Sequence, residues 1–233
     1  MTKKQVFVFL DWQNVYMRAR EAFFDPRFDP PAKGQVNPVD LAATLAADYA
    51  RRHSDDEVEL SQVHIYRGRP LQSHDPKGYD AFRRQDGAWR HNRKVHTHYR
   101  DLRYPWNWGE PDCADKPREK GVDVELALDV VTLGLEGAYD VGIVMSADYD
   151  LTPALDYMVR RRISRDAPDV EVASWKSDQG DKPLRIRLSG RPLYCIWLDR
   201  QTFWGLADDR DYSIPAPARH PGGPRPGPYR SST

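Results

Sequence analysis

Short apolar runs alternate along the chain with longer, periodic segments. The first run, residues 6–10, is uninterrupted and consists of β-branched, aromatic and leucine residues between two lysines and Asp11. An apolar run without polar alternation is typical of a strand buried on both faces, as in a parallel sheet. The same features predict further strands at 58–66, 94–99, 141–145, 170–174 and 193–198, with Gly68 and Pro70 closing the second.

Helical periodicity predicts the segments between these strands, at 14–24, 39–52, 77–92, 123–135 and 153–162, with a short helix near Phe203. Strands that alternate with helices indicate an α/β fold, a doubly wound and mainly parallel sheet flanked by helices. In such a sheet the ligand site lies beyond the carboxyl ends of the central strands, where the winding reverses. The residues that directly follow the strands are therefore the candidates for function.

Two segments break the alternation. Residues 100–122 hold three prolines and several aromatic residues, and a loop of this length inside a compact domain is usually functional. Residues 213–233 are dominated by proline, glycine, arginine and serine, which predicts a disordered tail. We therefore expect one domain over residues 1–212, followed by the tail.

Charge and cysteine content narrow the classes of function. The 35 basic and 35 acidic side chains balance, so any nucleic-acid binding must come from a local basic patch. The two cysteines form no Cys-x-x-Cys pair, which excludes a zinc ribbon or a disulfide framework. No apolar run is long enough to cross a bilayer, and the N-terminus lacks the features of a signal peptide. The expected location is the cytoplasm, with no membrane partner.

Acidic residues follow several of the predicted strands. Asp11 ends the first strand and Asn14 comes three residues later, Asp123 stands where the long loop enters a helix, and Asp148 and Asp150 follow the fourth strand. Clustered carboxylates repel one another unless a cation neutralises them. Hard oxygen ligands suit Mg²⁺ or Mn²⁺, which keep waters and take further ligands from substrate phosphates. The pattern predicts a metal site that activates water against a phosphodiester.

Each of these acids also has an ordinary explanation. Asp11 and Asp123 stand at helix starts, where aspartate is a preferred cap, and Asp148 or Asp150 alone is compatible with a turn. The coincidence of acids at several junctions favours a site. Asp129 lies six residues beyond Asp123, about 240° around a helix, so the two do not share a face.

Three blocks of sequence resemble the NYN domain family, a branch of the PIN-like ribonucleases. They are Phe-Leu-Asp-Trp-Gln-Asn at 9–14, Glu-Lys-Gly-Val-Asp-Val-Glu-Leu-Ala-Leu-Asp at 119–129, and the stretch from Gly-Ala-Tyr-Asp at 137–140 to Ser-Ala-Asp-Tyr-Asp-Leu at 146–151. The resemblance implies divalent-metal-dependent cleavage of RNA. The roles it implies are metal binding by Asp11, Asp123 and Asp148, assistance by Asn14, and an outer position for Asp150 or Asp129.

The long loop carries a candidate RNA-binding surface. Arginines that hold phosphates and aromatic rings that stack bases are typical of single-strand binding, although such rings also pack onto a core. The candidates are Arg100, Arg103, Tyr104, Trp106 and Trp108. A more spread-out basic region precedes them, at Arg83, Arg84, Arg90, Arg93 and Lys94.

The expected function is a metal-dependent endoribonuclease acting on RNA, expected to be single-stranded, and a homo-oligomer is left open. The alternative is a non-catalytic RNA-binding or regulatory module, favoured by the zero net charge and by Ala147, where the family usually has glycine. A phosphatase with Asp-x-Asp after its first strand fits poorly because position 13 is Gln. His96 and His98 alternate on a strand without a third ligand at suitable spacing, so we expect them on a solvent-facing surface.

Overall fold

The computed structural model describes residues 3–25, 27–30, 33–54, 56–163, 167–177 and 193–215. Within these ranges one parallel sheet contains the strands β1 (Lys4–Asp11), β2 (Val58–Arg69), β3 (Val95–Asp101), β4 (Val141–Met145), β5 (Asp169–Trp175) and β6 (Cys195–Leu198). The helices are α1 (Trp12–Phe23), α2 (Pro38–Arg52), α3 (Pro76–Trp89), α4 (Val122–Leu135), α5 (Thr152–Ile163) and α6 (Arg200–Leu206).

The strand order is β3-β2-β1-β4-β5-β6, and every neighbouring pair is parallel. The chain starts at the centre with β1, builds outward through β2 and β3, and then crosses to the other side of β1 with β4. The winding therefore reverses between β1 and β4, which is where ligands bind in sheets of this kind. The predicted doubly wound parallel sheet is confirmed.

Helices cover both faces of the sheet. Val6, Val8 and Leu10 of β1 pack in one apolar cluster with residues of α1, α2 and α6, and Phe7 and Phe9 pack in a second with residues of α4 and α5. Alternate residues of a strand point to opposite faces. The uninterrupted apolar run of β1 is thus explained by burial on both sides.

One predicted boundary is wrong in an informative way. β2 runs to Arg69 and passes through Gly68, although Gly68 was expected to close the strand at Tyr66. A Cβ added to Gly68 would lie 2.3 Å from Leu102 and 2.8 Å from Glu119. A glycine inside a strand often marks such a close approach rather than an end.

The irregular segment between β3 and α4, residues 102–121, is a hairpin-like excursion, and we call it the hairpin loop. Arg103 and Arg118 exchange two antiparallel backbone hydrogen bonds of 2.9 and 3.0 Å at its stem. The Leu102 N–H donates to the Arg69 carbonyl at 2.9 Å, so the stem starts from the carboxyl ends of β2 and β3.

The C-terminal tail and the absence of a membrane span are both predicted from the sequence. The predicted disordered tail falls almost wholly on residues 216–233, which lie outside the described residues. Across the ranges given above, no helix combines the length and apolar character needed to span a bilayer.

Candidate active site

Asp11 is a buried carboxylate at the point where the winding reverses. It is the last residue of β1 and the cap of α1, and its Oδ1 accepts the Asn14 N–H at 3.1 Å. Its Oδ2 accepts the Ser146 hydroxyl at 2.9 Å. Burial raises the pKa of Asp11 to about 6, against the two hydrogen bonds, and the charges of Asp148 and Asp123 raise it further. Its charged form is thus costly without a neighbouring cation.

The turns after β1 and β4 are tied together by side chains of the site. The Asn14 side-chain oxygen accepts the Ala147 N–H at 3.1 Å, and the Ser146 hydroxyl that donates to Asp11 also accepts the Asp148 N–H at 3.1 Å. Ala147 is itself buried. The turn that carries Asp148 is therefore fixed relative to Asp11 by hydrogen bonds across the two strand ends.

Asp148 and Asp150 occupy different positions in the turn after β4. Asp148 caps a 3₁₀ turn, Tyr149–Leu151, and its Oδ1 accepts the Asp150 N–H at 2.9 Å. Asp148 is half-buried and Asp150 is exposed. Of the two, Asp148 is the acid whose charge acts on Asp11.

Asp123 lies in the first turn of α4 and does not cap it. The cap position is held by Gly121 in the left-handed conformation, with φ +77°, and no side chain makes a capping hydrogen bond there. The capping explanation therefore applies to Asp11 and Asp148 but not to Asp123. The Asp123 charge is one of those that raise the pKa of Asp11, so the two carboxylates are close enough to interact electrostatically.

A fourth acid, Glu119, belongs to this group and was missed as a site residue. Its Oε1 accepts the Gly68 N–H at 2.7 Å, at the carboxyl end of β2. Burial raises the pKa of Glu119, and the charges of Asp11 and Asp123 raise it further, while the Gly68 hydrogen bond and Arg67 lower it. No local sequence pattern points to it, because its partner Gly68 lies inside β2 only in the folded structure, whereas the sequence pattern places that glycine just after the strand.

Asp129 has partners of its own on β2 and β3. It accepts the Tyr66 hydroxyl at 2.8 Å and lies 3.5 Å from Nδ1 of His98. His98 is half-buried between the sheet and α4, and it stacks on Tyr66 and His64. The expectation that His98 faces solvent is wrong, because Asp129 and Glu125 of α4 cover it.

Of the five RNA-binding candidates, three make contacts with other side chains of the protein, and two are exposed on the hairpin loop. Arg100 pairs with Glu125 at 2.7 Å. Tyr104 and Trp108 pack edge to face on each other, and Tyr104 stacks on His74. The remaining two, Arg103 and Trp106, are exposed on the hairpin loop, and Trp106 is 96% accessible to solvent.

The donor set of the crevice consists of carboxylate oxygens and one amide, which are the ligands that Mg²⁺ and Mn²⁺ prefer. Among the described residues, no three His, Cys, Asp or Glu side chains already form a group that could hold a metal. Mg²⁺ usually binds through one or two carboxylates and keeps several waters, so it needs no complete protein cage. The residues present therefore fit such an ion.

Comparison with known proteins identifies the family. The model of the NYN domain matches residues 5–165, from β1 to the end of α5, and includes every acid of the crevice. No curated protein and no solved structure matches the chain significantly. NYN domains have a PIN-like nuclease fold, are generally ribonucleases, and typically use divalent metals. The match covers more than half of the chain and agrees with the six-stranded parallel sheet, and the chain belongs to the NYN domain family.

Proposed function

We propose that this chain is a divalent-metal-dependent endoribonuclease that hydrolyses RNA phosphodiester bonds. Asp11, Asp123 and Asp148 hold Mg²⁺ or Mn²⁺, Asn14 assists them, and Asp150 contributes from the outer edge. The observation that supports this most strongly is the buried Asp11 carboxylate, whose pKa rises to about 6 through burial and the repulsion of two other acids.

A purely structural role does not account for Asp11. Capping α1 requires only one acceptor oxygen, and asparagine or serine caps a helix about as well as aspartate. A buried charge beside two like charges is unfavourable unless a cation offsets it. The arrangement is therefore costly to the apo protein and favourable to the metal-bound one.

Each residue of the site has a defined task in this mechanism. The bound metal supplies an activated water and stabilises charge on the phosphorus centre. The Asn14 N–H and the Ser146 hydroxyl hold the Asp11 carboxylate in one orientation. The Asn14 side chain fixes the turn that carries Asp148 through Ala147. Asp150 is exposed in the turn that Asp148 caps, and in this proposal its carboxylate would assist from the outer edge of the site.

The substrate strand is proposed to run along the hairpin loop. Trp106 offers an exposed ring on which an unpaired base can stack, and Arg103 offers an exposed cation for phosphate. Arg118, paired with Arg103 across the stem, is also exposed. Tyr104 and Trp108 serve indirectly in this scheme, by fixing the loop that carries Trp106. Stacking on one ring requires unpaired bases, which favours single-stranded RNA.

Arg100 has a supporting place in the same scheme. Its guanidinium is paired with Glu125 of α4, two residues after Asp123. The pair joins the end of β3 to the first turns of α4. We propose that this ion pair stabilises the position of α4 relative to the hairpin loop. About half of the Arg100 side chain remains exposed and could also contact a phosphate of the RNA.

The experiment that tests this function uses a circular single-stranded RNA, which an exonuclease cannot start on. The full-length protein should linearise the circle with Mn²⁺ or Mg²⁺ and should leave it intact with EDTA. Binding of the circle without cleavage in either metal would instead support the non-catalytic RNA-binding alternative. Equal cleavage with and without EDTA would exclude a metal-dependent mechanism.

A further inference from the structure

Glu119 supplies a hydrogen-bond acceptor where the sheet lacks one. In a parallel strand, successive N–H groups point alternately to the two neighbouring strands. In β2 the Val63 N–H donates toward β3, to the Lys94 carbonyl, so the N–H of Gly68 points to the β1 side. The ladder with β1 ends where Asp11 pairs with Tyr66, two residues earlier. The Glu119 Oε1, 2.7 Å from the Gly68 nitrogen, takes the place of the missing strand carbonyl.

The fit at this contact depends on glycine. A Cβ at position 68 would come within 2.8 Å of the Glu119 Cγ and within 2.3 Å of a Leu102 methyl group. Carbon atoms in contact normally lie about 3.5–4.0 Å apart. The side chain of Glu119 therefore lies flat on the backbone of β2, in the space beyond the end of β1.

The same contact lies close in sequence to the start of α4. Gly121, the cap position of α4, makes no side-chain capping bond, so the helix start depends on contacts made by neighbouring residues. Glu119 lies two residues before that cap, and Val122 directly after it is buried. Only three residues separate Glu119 from Asp123. A segment this short spans at most about 14 Å between its outer Cα atoms, so anchoring one end restricts the other.

We propose that Glu119 is a positioning residue that holds Asp123 at the crevice by accepting the Gly68 N–H. The inference rests on the proposed function, because it assigns the metal to Asp123. The task requires a hydrogen-bond acceptor at the end of the side chain and not a negative charge. Glutamine can perform it and alanine cannot.

The test compares Glu119→Gln, Glu119→Ala and Gly68→Ala, with Gly87→Ala as the matched control. Gly87 lies on α3 with open space around its added Cβ. The primary measurement is Mn²⁺ affinity of the full-length protein by calorimetry, without RNA. Loss of a residue that orients metal ligands typically costs about 10–100-fold in affinity. We expect a loss of about that size for Glu119→Ala and Gly68→Ala, and wild-type affinity for Glu119→Gln and Gly87→Ala.

Hydrogen exchange measured without metal gives a second readout. Amides at the start of α4 should exchange faster in Glu119→Ala and Gly68→Ala, and at the wild-type rate in Glu119→Gln. If Glu119→Gln loses as much Mn²⁺ affinity as Glu119→Ala, the charge itself is needed and the positioning role is overturned. Unchanged exchange and affinity in all variants would overturn it as well.

The two proposals fail in different ways. In one outcome, the wild-type protein binds no Mn²⁺ while Glu119→Ala and Gly68→Ala still exchange faster than wild type at the start of α4. That result would overturn the proposed metal site and leave the anchoring of α4 by Glu119 supported. Normal Mn²⁺ affinity in Glu119→Ala and Gly68→Ala would leave the metal site standing and remove the role of Glu119.

Discussion

The side-chain oxygen of Asn14 lies 3.1 Å from the backbone nitrogen of Ala147 and accepts its hydrogen bond. The two residues are 133 positions apart in the chain and stand at the ends of neighbouring strands. The bond joins the turn that follows β1 to the turn that follows β4. Asn14 therefore acts on the geometry of Asp148 without adding a further negative charge to the crevice.

Replacing Asn14 by alanine should leave the Ala147 N–H without its acceptor. An unsatisfied, largely buried N–H costs about 1–3 kcal/mol, so the free energy of unfolding should fall by about that amount. Urea unfolding in EDTA measures the loss. Gln13→Ala is the matched control, because Gln13 is exposed in the same turn of α1. Equal stability of the two variants would show that the bond contributes nothing.

Asp11→Asn should blunt the stabilisation that metal gives. A cation that binds only the folded state raises the melting temperature, and the gain depends on its affinity. The amide keeps the helix cap but removes the buried charge, so the apo variant should melt at or above the wild-type temperature. Thermal melts in EDTA and in Mn²⁺ measure both effects. Equal Mn²⁺-induced shifts in the two proteins would contradict the assignment of Asp11.

Trp106 and Trp108 should respond differently to substitution. Trp106 is almost fully exposed, whereas Trp108 packs on Tyr104 and its indole N–H donates to the His74 carbonyl. Trp106→Ala should cost about 1–3 kcal/mol of single-stranded RNA binding and leave the melting temperature unchanged. Trp108→Ala should lower the melting temperature.

Fluorescence anisotropy with a labelled RNA measures the binding, and Trp204→Ala is the control. Trp204 is a half-exposed tryptophan on α6. If Trp106→Ala binds RNA as tightly as Trp204→Ala, the strand runs elsewhere, and the basic region that begins at Arg83 becomes the next candidate.

His64 should make the fold sensitive to acid. Burial lowers its pKa from 6.5 to about 3, and the neighbouring His98 and His96 lower it too. The unfolded chain takes up a proton below pH 6.5 and the folded chain does not. The stability that His64 confers is therefore complete above pH 6.5 and is lost as the pH falls toward 3, by up to about 1.4 kcal/mol per pH unit.

The measurement for His64 is the free energy of urea unfolding between pH 7.5 and 4 for wild type and His64→Phe. Phenylalanine suits a site lined by Phe7 and Phe9 and does not titrate. Its pH slope should be shallower than that of wild type. His91→Gln, at an exposed histidine after α3, should keep the wild-type slope. Parallel curves for all three proteins would contradict the role of His64.

Most of the fold could be predicted from the sequence, because strands and helices are indicated by hydrophobic patterns between residues that are close in the chain. The uninterrupted apolar run of β1 already indicates helices on both faces, and Asp11 directly after it indicates the functional edge. The angle between Asp123 and Asp129 on a helix also follows from spacing alone. In the structure Asp129 accepts the Tyr66 hydroxyl.

Glu119 shows what local signals cannot supply. It stands in an irregular loop, where no periodicity assigns a direction to its side chain. Its partner Gly68 is 51 positions away, and only the folded sheet brings the two together. The sequence also could not tell which aromatic rings of the hairpin loop are packed and which are exposed. The packing of Tyr104 depends on His74, which lies thirty positions earlier in the chain.

The most direct test of the metal-dependent nuclease is the single-turnover cleavage rate of Asp148→Asn on single-stranded RNA with Mn²⁺. Asp148→Asn leaves the Asp11 contacts with Asn14 and Ser146 in place and preserves a cap for the turn. Asp80→Asn, at an exposed acid on α3, is purified in parallel as the control for contaminating nuclease. The account predicts a loss of at least about 100-fold for Asp148→Asn, of the order seen when a group that stabilises the transition state is removed, and none for Asp80→Asn. Equal cleavage by both variants would contradict it.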